Sequence, residues 1–198
     1  MVLLTCISCG PWVLVPPEVD LTPYERVGMI TFSLENAEGR LGEMATQRFV
    51  QDITYHQRGV QIIELGTLEE VLGKIDKNTL DQDAIAAVGE HYGVTSFFYG
   101  EMSVSDVKPE VDLSTLVRSM RIRASFNISM TARLLSSETG ATRWTDSSIR
   151  KGNVAYMSWH EGHIPYFDLR DQDEAYQALI EILVHDLTRD FRPTKRRG

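Results

Sequence analysis

His160-Glu161-Gly162-His163 holds the residue types most able to do chemistry, because two imidazoles three apart can share a metal ion. A zincin, however, needs His-Glu-x-x-His with a glutamate base, and Gly162 and Pro165 argue against the helix that would carry it. The run reads as a surface loop. Gly39 and Gly42 stand where a strand gives way to a helix, as in a phosphate-binding turn. A dinucleotide fingerprint needs three glycines at fixed spacing and a P-loop needs Gly-Lys-Ser/Thr, and Arg40-Leu41-Gly42 supplies neither. No Gly-x-Ser-x-Gly elbow occurs, and no carboxylate pair is placed by motif for acid–base work. His56, His91 and His185 fall on predicted helices and read as structural. Cys6 and Cys9 are the only two cysteines. A redox pair wants a helix starting at its first thiol, but Gly10-Pro11-Trp12 and Pro16-Pro17 signal none. As half of a zinc site the pair has no second half tied to it. The expectation is no catalytic residue, no metal and no cofactor.

Two surfaces are candidates for contact instead. From Met120 to Leu134 the residues alternate. Met120, Ile122, Ala124, Phe126, Ile128, Met130, Ala132 and Leu134 fall on one side, with Arg121, Arg123, Ser125, Asn127, Ser129, Thr131 and Arg133 on the other. Side chains of a strand point alternately to its two faces, so this is one strand with an apolar face and a wet, cationic one. At about 3.3 Å per residue it spans roughly 50 Å. Arg121, Arg123 and Arg133 could meet a partner, or could keep an exposed sheet face from aggregating. Trp159, Tyr166 and Phe167 flank the histidine run as a contact patch or as packing.

The elements that position these residues follow from pattern. Arg26 to Ser33 and Val60 to Leu65 are short apolar strands. Leu41, Ala45, Phe49 and Ile53 recur at helical spacing. Thr67-Leu68-Glu69-Glu70 is a capping box, and Asp81 or Thr79 opens a helix that Gly93 stops. Val94 to Met102 is a third strand. Residues 103–118 are charged and turn-like. The long strand then pairs, across a Ser136–Gly140 turn, with a strand from Thr142 toward Tyr156. Residues 157–170 are expected as a loop. A final helix from about Gln172 carries Tyr176, Leu179, Ile180, Leu183, Leu187 and Phe191. The order β-α-β-α-α-β-β-β-α predicts an α/β fold: a mixed sheet of about five strands with a long antiparallel hairpin, flanked by helices.

With 198 residues, this is one domain with tails. A net charge of −8 argues against a general nucleic-acid binder. Residues 10–24, with four prolines, have the composition of a linker. Residues 25–192 form the α/β domain, and 193–198 a basic tail. The stretch from Met1 to Gly10 resembles the end of a bacterial lipoprotein signal peptide, in which the cleavage-site cysteine becomes the lipidated first residue. Cys9, between Ser8 and Gly10, suits that role better than Cys6. The basic region and complete apolar core of such a signal would be supplied by upstream codons.

The strands and helices resemble, in order, those of the CsgG/LpoB-like group of bacterial envelope lipoproteins, which share a TolB N-terminal-like α/β domain. Arg26-Val27-Gly28-Met29-Ile30-Thr31-Phe32 is similar to the group's first strand, and Gly42 to Phe49 to its first helix. Val60 to Glu64 and Leu68 to Leu72 resemble the segment that follows. Gly93-Val94-Thr95-Ser96-Phe97-Phe98-Tyr99-Gly100-Glu101 resembles its Gly-Ala-Asp-x-apolar-Gly-Glu strand. Ala132 to Gly140 with Trp144 resembles its Arg-Leu-Val-Asp-x-x-Thr-Gly-x-x-Trp hairpin. The resemblance implies a non-catalytic, lipid-anchored protein on the periplasmic side of the outer membrane, acting through protein contacts. The partner it implies is a peptidoglycan synthase or a secretion component, with a homo-oligomer open. Its alternative is a subunit of an oligomeric secretion channel. The short charged stretch 103–118 and the polar residues Asp146, Ser147, Ser148, Arg150 and Lys151 count against a membrane-spanning hairpin.

Overall fold

The computed structural model describes residues 12–36, 40–106, 108–114, 119–160, 166–169 and 172–197, with side chains for those outside 109–123 and 154–175. In chain order the elements are β1 (Trp12–Val15), β2 (Arg26–Ile30), β3 (Ser33–Glu35), α1 (Leu41–His56), β4 (Gln61–Gly66), α2 (Leu68–Lys74), α3 (Gln82–Tyr92), β5 (Ser96–Val104), β6 (Lys108–Ser114), β7 (Ser119–Ser136), β8 (Thr142–His160), β9 (Tyr166–Leu169), α4 (Gln172–Leu187) and β10 (Thr194–Arg197).

The main sheet runs β4-β2-β5-β7-β8-β9. β2 lies parallel to both β4 and β5, because α1, and then α2 with α3, cross over between them. β7 turns the sheet antiparallel. Its second half pairs with β5 and its first half with β6, while β8 follows almost its whole length. β3 extends the sheet beside the end of β5.

The expected α/β architecture with a long hairpin is present, with more strands than the pattern gave. β6 lies inside the stretch expected to be turn-like, and β8 and β9 occupy much of the expected aromatic loop. β6 does alternate, with Val111 and Leu113 in one phase and Glu110, Asp112 and Ser114 in the other. Pro109 and the charges masked this, and an edge strand tolerates both. The linker and the basic tail also meet. β1 pairs antiparallel with β10 in a separate two-stranded ribbon.

Two apolar clusters hold the layers together. The larger places Phe98, Met102, Phe126, Ile128, Met130, Ala132 and Leu134 of the sheet against Phe49 and Ile53 of α1 and Ile180, Leu183 and Leu187 of α4. Phe98 is its hub, with its ring edge-on to Phe49 at 5.1 Å and to Phe191 at 5.7 Å. The smaller cluster, on the other face, joins Ile30, Leu65, Phe97 and Leu135 to Val71 of α2 and Ile85 and Val88 of α3. The apolar row of β7 thus lies under helices, as its alternation predicts, from Phe126 to Leu134. A side chain at Gly152 would come within 2.5 Å of Phe126 and 2.6 Å of Leu179, so glycine lets α4 settle on β8.

The helix ends are written in the sequence. Thr67 and Glu70 form the reciprocal capping box, Asp81 accepts from the Ala84 N–H at 2.9 Å, and Gly93 takes the left-handed conformation at φ 63°. At the far end of α1, Gln57 is buried. Its Oε1 accepts from the Leu21 N–H (2.9 Å), and its Nε2 donates to the carbonyls of Val19 (3.0 Å) and Phe191 (2.7 Å). Leu21 is fully buried. The second half of the stretch expected as a linker is therefore fastened to the domain.

Candidate interaction surface

Each site residue singled out by sequence has a definite place or lies outside the described residues. Cys6, Cys9, Gly39 and the run Glu161 to His163 lie outside them. His160 ends β8, opposite Ser119. Among the described residues no group of three or more His, Cys, Asp or Glu could hold a metal ion.

Gly42 is accounted for by packing. A Cβ there would sit 2.3 Å from the Phe32 carbonyl oxygen, so the glycine lets α1 start hard against the end of β2. Thr46 reinforces that contact. Its hydroxyl accepts from the Phe32 N–H (2.9 Å) and donates to the Gly42 carbonyl (2.7 Å). A depression of about 370 Å³ lies beside it, lined by Thr31 to Leu34, Gly42, Glu43 and Thr67 to Glu69. Two helix starts border it, yet the N–H groups of Thr67 and Glu70 are taken by the capping box, and Glu43 pairs with Arg40 at 2.9 Å. Internal capping and carboxylates on its rim suit no phosphate.

His56 and His185, expected to be structural, join a lock between α1 and the end of α4. Arg192 donates to Asp52 at 2.8 Å and to the His185 backbone carbonyl at 2.7 Å, and the Thr188 hydroxyl also reaches Asp52. Burial lowers the pKa of His56, and the charges of Arg192 and His185 lower it further against the opposing pull of Asp52.

The open surface is the second face of the antiparallel half. α1 and α4 cover one side of β5, β7 and β8, and on the other the cluster under α2 and α3 reaches only as far as Tyr99, which is half-buried at its edge. This face presents Tyr99, Glu101 and Ser103 from β5, Asn127, Ser129, Thr131 and Arg133 from β7, and Thr145, Ser147, Ile149 and Lys151 from β8. Hydroxyl groups dominate it. Ser103 and Ser129 hydrogen-bond across the strands at 2.7 Å. Tyr99 donates to Glu101 Oε1 at 2.6 Å. Partial burial, followed by the hydrogen bond and charge of Glu101, pushes the Tyr99 phenol up to about 12, against the opposing effects of Ser33 and Arg133. Ile149 stands 61% exposed among these polar groups.

Arg133 belongs to this face, exposed and in register with Tyr99 and Thr145. Arg121 and Arg123 lie further along β7, in register with Asp112 and Glu110 of β6, so the ladder sets an acidic residue across from each. Trp159 pairs with Met120, and Tyr166 with Ser158. The structure thus spreads the five candidate residues along one hairpin and its edge strand. Tyr99, Glu101 and the β8 hydroxyls were missed. Their signal was the polar phase of the alternation in β5 and β8, which is weaker there than in β7.

No protein-family model matches the sequence, and no curated protein sequence does. Among solved structures the chain is similar to the PelC dodecamer from Paraburkholderia phytofirmans, with 11% identity and a TM-score of 0.50 over 92% of this chain and 97% of that one. The two chains share a fold. Lipoprotein GNA1162 from Neisseria meningitidis aligns with a TM-score of 0.43 at 12% identity, over 81% of this chain and 96% of that one. The C-terminal domain of LpoB from Salmonella enterica aligns with a TM-score of 0.36 at 8% identity, over 63% of this chain and 81% of that one. No helix among the described residues is long and apolar enough to cross a membrane.

Proposed function

We propose that this protein is a non-catalytic lipoprotein of the bacterial envelope. In this reading it is held through Cys9, with Cys6 the weaker candidate, on the periplasmic side of the outer membrane. It acts there as an assembly or regulatory factor through protein contacts, with a peptidoglycan synthase or a secretion component as partner. The observation that carries the reading is the uncovered face around Tyr99, Ser129, Arg133 and Ile149. It is broad and hydroxyl-rich, spread over three strands, which suits a protein partner. The resemblance to envelope lipoproteins read from the sequence supports the setting.

The test is fatty-acid labelling of the chain with its upstream codons restored, beside a Cys9→Ser control. The reading expects label in the first and none in the second. Label in neither would sink it, and equal label in both would move the attachment away from Cys9. In the labelled protein, Arg133→Glu with Ile149→Asp should fail to rescue the envelope phenotype of a deletion strain that the wild-type chain rescues, while leaving thermal unfolding unchanged.

A second reading makes the protein one subunit of a ring, and the solved PelC assembly, a dodecamer, favours self-association. A membrane channel built from the β7–β8 hairpin is harder to reconcile with the row Phe126 to Leu134, which is buried at 1% exposure or less beneath α1 and α4. Sedimentation of the detergent-extracted protein separates a ring from a monomer.

A further inference from the structure

The β1–β10 ribbon concentrates exposed apolar groups as no other part of the described chain does. Trp12, Val13 and Leu14 are 62%, 51% and 62% exposed. The partner strand supplies Lys195, Arg196 and Arg197, all exposed, and neither strand holds an acidic residue. In a molecule of net charge −8 this is a local reversal of sign. Residues directly opposite in an antiparallel pair share a face. The register sets Trp12 opposite Arg197 and Leu14 opposite Lys195, so one face of the ribbon carries two apolar side chains, each beside a cation. The Arg197 guanidinium stacks over the Trp12 ring, 5.1 Å from its centroid.

From this geometry we propose that the ribbon docks on an anionic lipid surface, with Trp12 and Leu14 at the level of the headgroups and Lys195 and Arg197, on the same face, on lipid phosphates. Tryptophan is the side chain most at home in that interface, and lysine and arginine beside it keep their charges wet while their stems lie on apolar surface. Charge complementarity selects this occupant over an acidic protein partner because the exposed indole and leucine would otherwise stay in water. Position agrees. Trp12 is three residues on from Cys9, a reach of at most about 11 Å. An acyl chain on Cys9 would therefore hold the ribbon within the headgroup layer. The proposal takes the envelope reading as its setting but is tested without the anchor.

The experiment uses the full chain with Cys6→Ser and Cys9→Ser, so that no acylation contributes, mixed with phosphatidylglycerol-containing or pure phosphatidylcholine vesicles. Co-sedimentation with the anionic vesicles alone is expected, weakening as salt rises. Lys195→Ala and Arg197→Ala together should weaken it roughly 30-fold, and Arg196→Ala, on the opposite face, much less. Trp12→Ala with Leu14→Ser should weaken it about tenfold or more, since each side chain forfeits its transfer into the interface. Val13→Ser, on the opposite face, should have a much smaller effect. Absence of sedimentation, equal binding to both vesicles, or indifference to both sets of substitutions would overturn the assignment, as would a change in oligomeric mass in place of vesicle binding. Failure here with fatty-acid label intact on Cys9 would remove the ribbon's role and leave the lipoprotein reading standing. Loss of label with vesicle binding intact would do the reverse.

Discussion

The two halves of the sheet are made of the same chain chemistry but finished differently. In the parallel half, β2, β4 and the start of β5 are covered on both faces, by α1 on one side and α2 with α3 on the other. Their sequences accordingly read as apolar runs, such as Val27 to Ile30 and Phe97 to Phe98. In the antiparallel half, β7, β8 and the end of β5 are covered once. Their sequences alternate. The change of strand direction and the loss of the second helical layer come at the same strand, β5, whose Phe97 is buried in the second cluster, whose Tyr99 is half-buried against that cluster's edge, and whose Glu101 is on the open face. A crossover helix is the price of a parallel strand, and it also seals a face. A hairpin needs no crossover and so leaves a face open for contact.

The largest expected effect tests whether the covered face carries the stability of both halves. Phe98 sits on the face that α1 and α4 cover throughout, among Phe49, Trp144 and Phe191. Phe98→Ala should cost about 3–5 kcal/mol, measured by urea denaturation. Ser129→Ala, on the open face, should stay within about 1 kcal/mol because it removes one partly buried hydroxyl pair. Equal costs would erase the distinction between the faces.

Gln57→Ala tests the fastening of the chain ends to the covered face. It strips partners from a buried N–H at Leu21 and from the Phe191 and Val19 carbonyls. A loss of about 2–3 kcal/mol is expected, with faster hydrogen exchange at the Leu21 amide. An unchanged amide would mean the segment is held without the glutamine. Asp81→Ala comes next. It uncaps α3, the helix that seals the second face of the parallel half, and should lower stability by about 1 kcal/mol with protection lost first in α3.

What could be read from the sequence divides along the same line. β7, α1 and α3 were legible because a single face of each is buried, so periodicity shows, and in α3 the caps agree with it. β6, β9, β1 and β10 were not, since a short edge strand gains its order from the partner it pairs with, and the partner is remote in sequence. Trp12 finds Arg197 across almost the entire chain. Of the contact surface, Arg133 was legible from alternation alone. Tyr99 and Glu101 were read as part of an apolar strand, because Phe97 and Phe98 beside them dominate its pattern. That the open face begins there depends on where α3 ends its cover, and no local rule encodes that.

Tyr99 supplies the smallest and most specific test of the boundary. Its phenol is raised from about 10 in an unfolded chain to about 12 in the fold, chiefly by burial and then by Glu101. Folding therefore favours the neutral phenol. The stabilisation it brings is fully present below pH 10 and is lost as pH rises from about 10 through 12. Tyr99→Phe keeps the ring and removes the ionisable group. At neutral pH it should change stability by no more than about 0.5 kcal/mol, since its hydroxyl bonds an exposed carboxylate. Between pH 10 and 11.5 the wild-type chain should lose stability faster than Tyr99→Phe, read as the difference between their urea midpoints so that other tyrosines and lysines cancel. Arg133→Ala should steepen the wild-type fall, because its charge is one of the two influences that favour the phenolate. Parallel curves for the wild type and Tyr99→Phe would place Tyr99 in open solvent and move the edge of the uncovered face back toward Phe97.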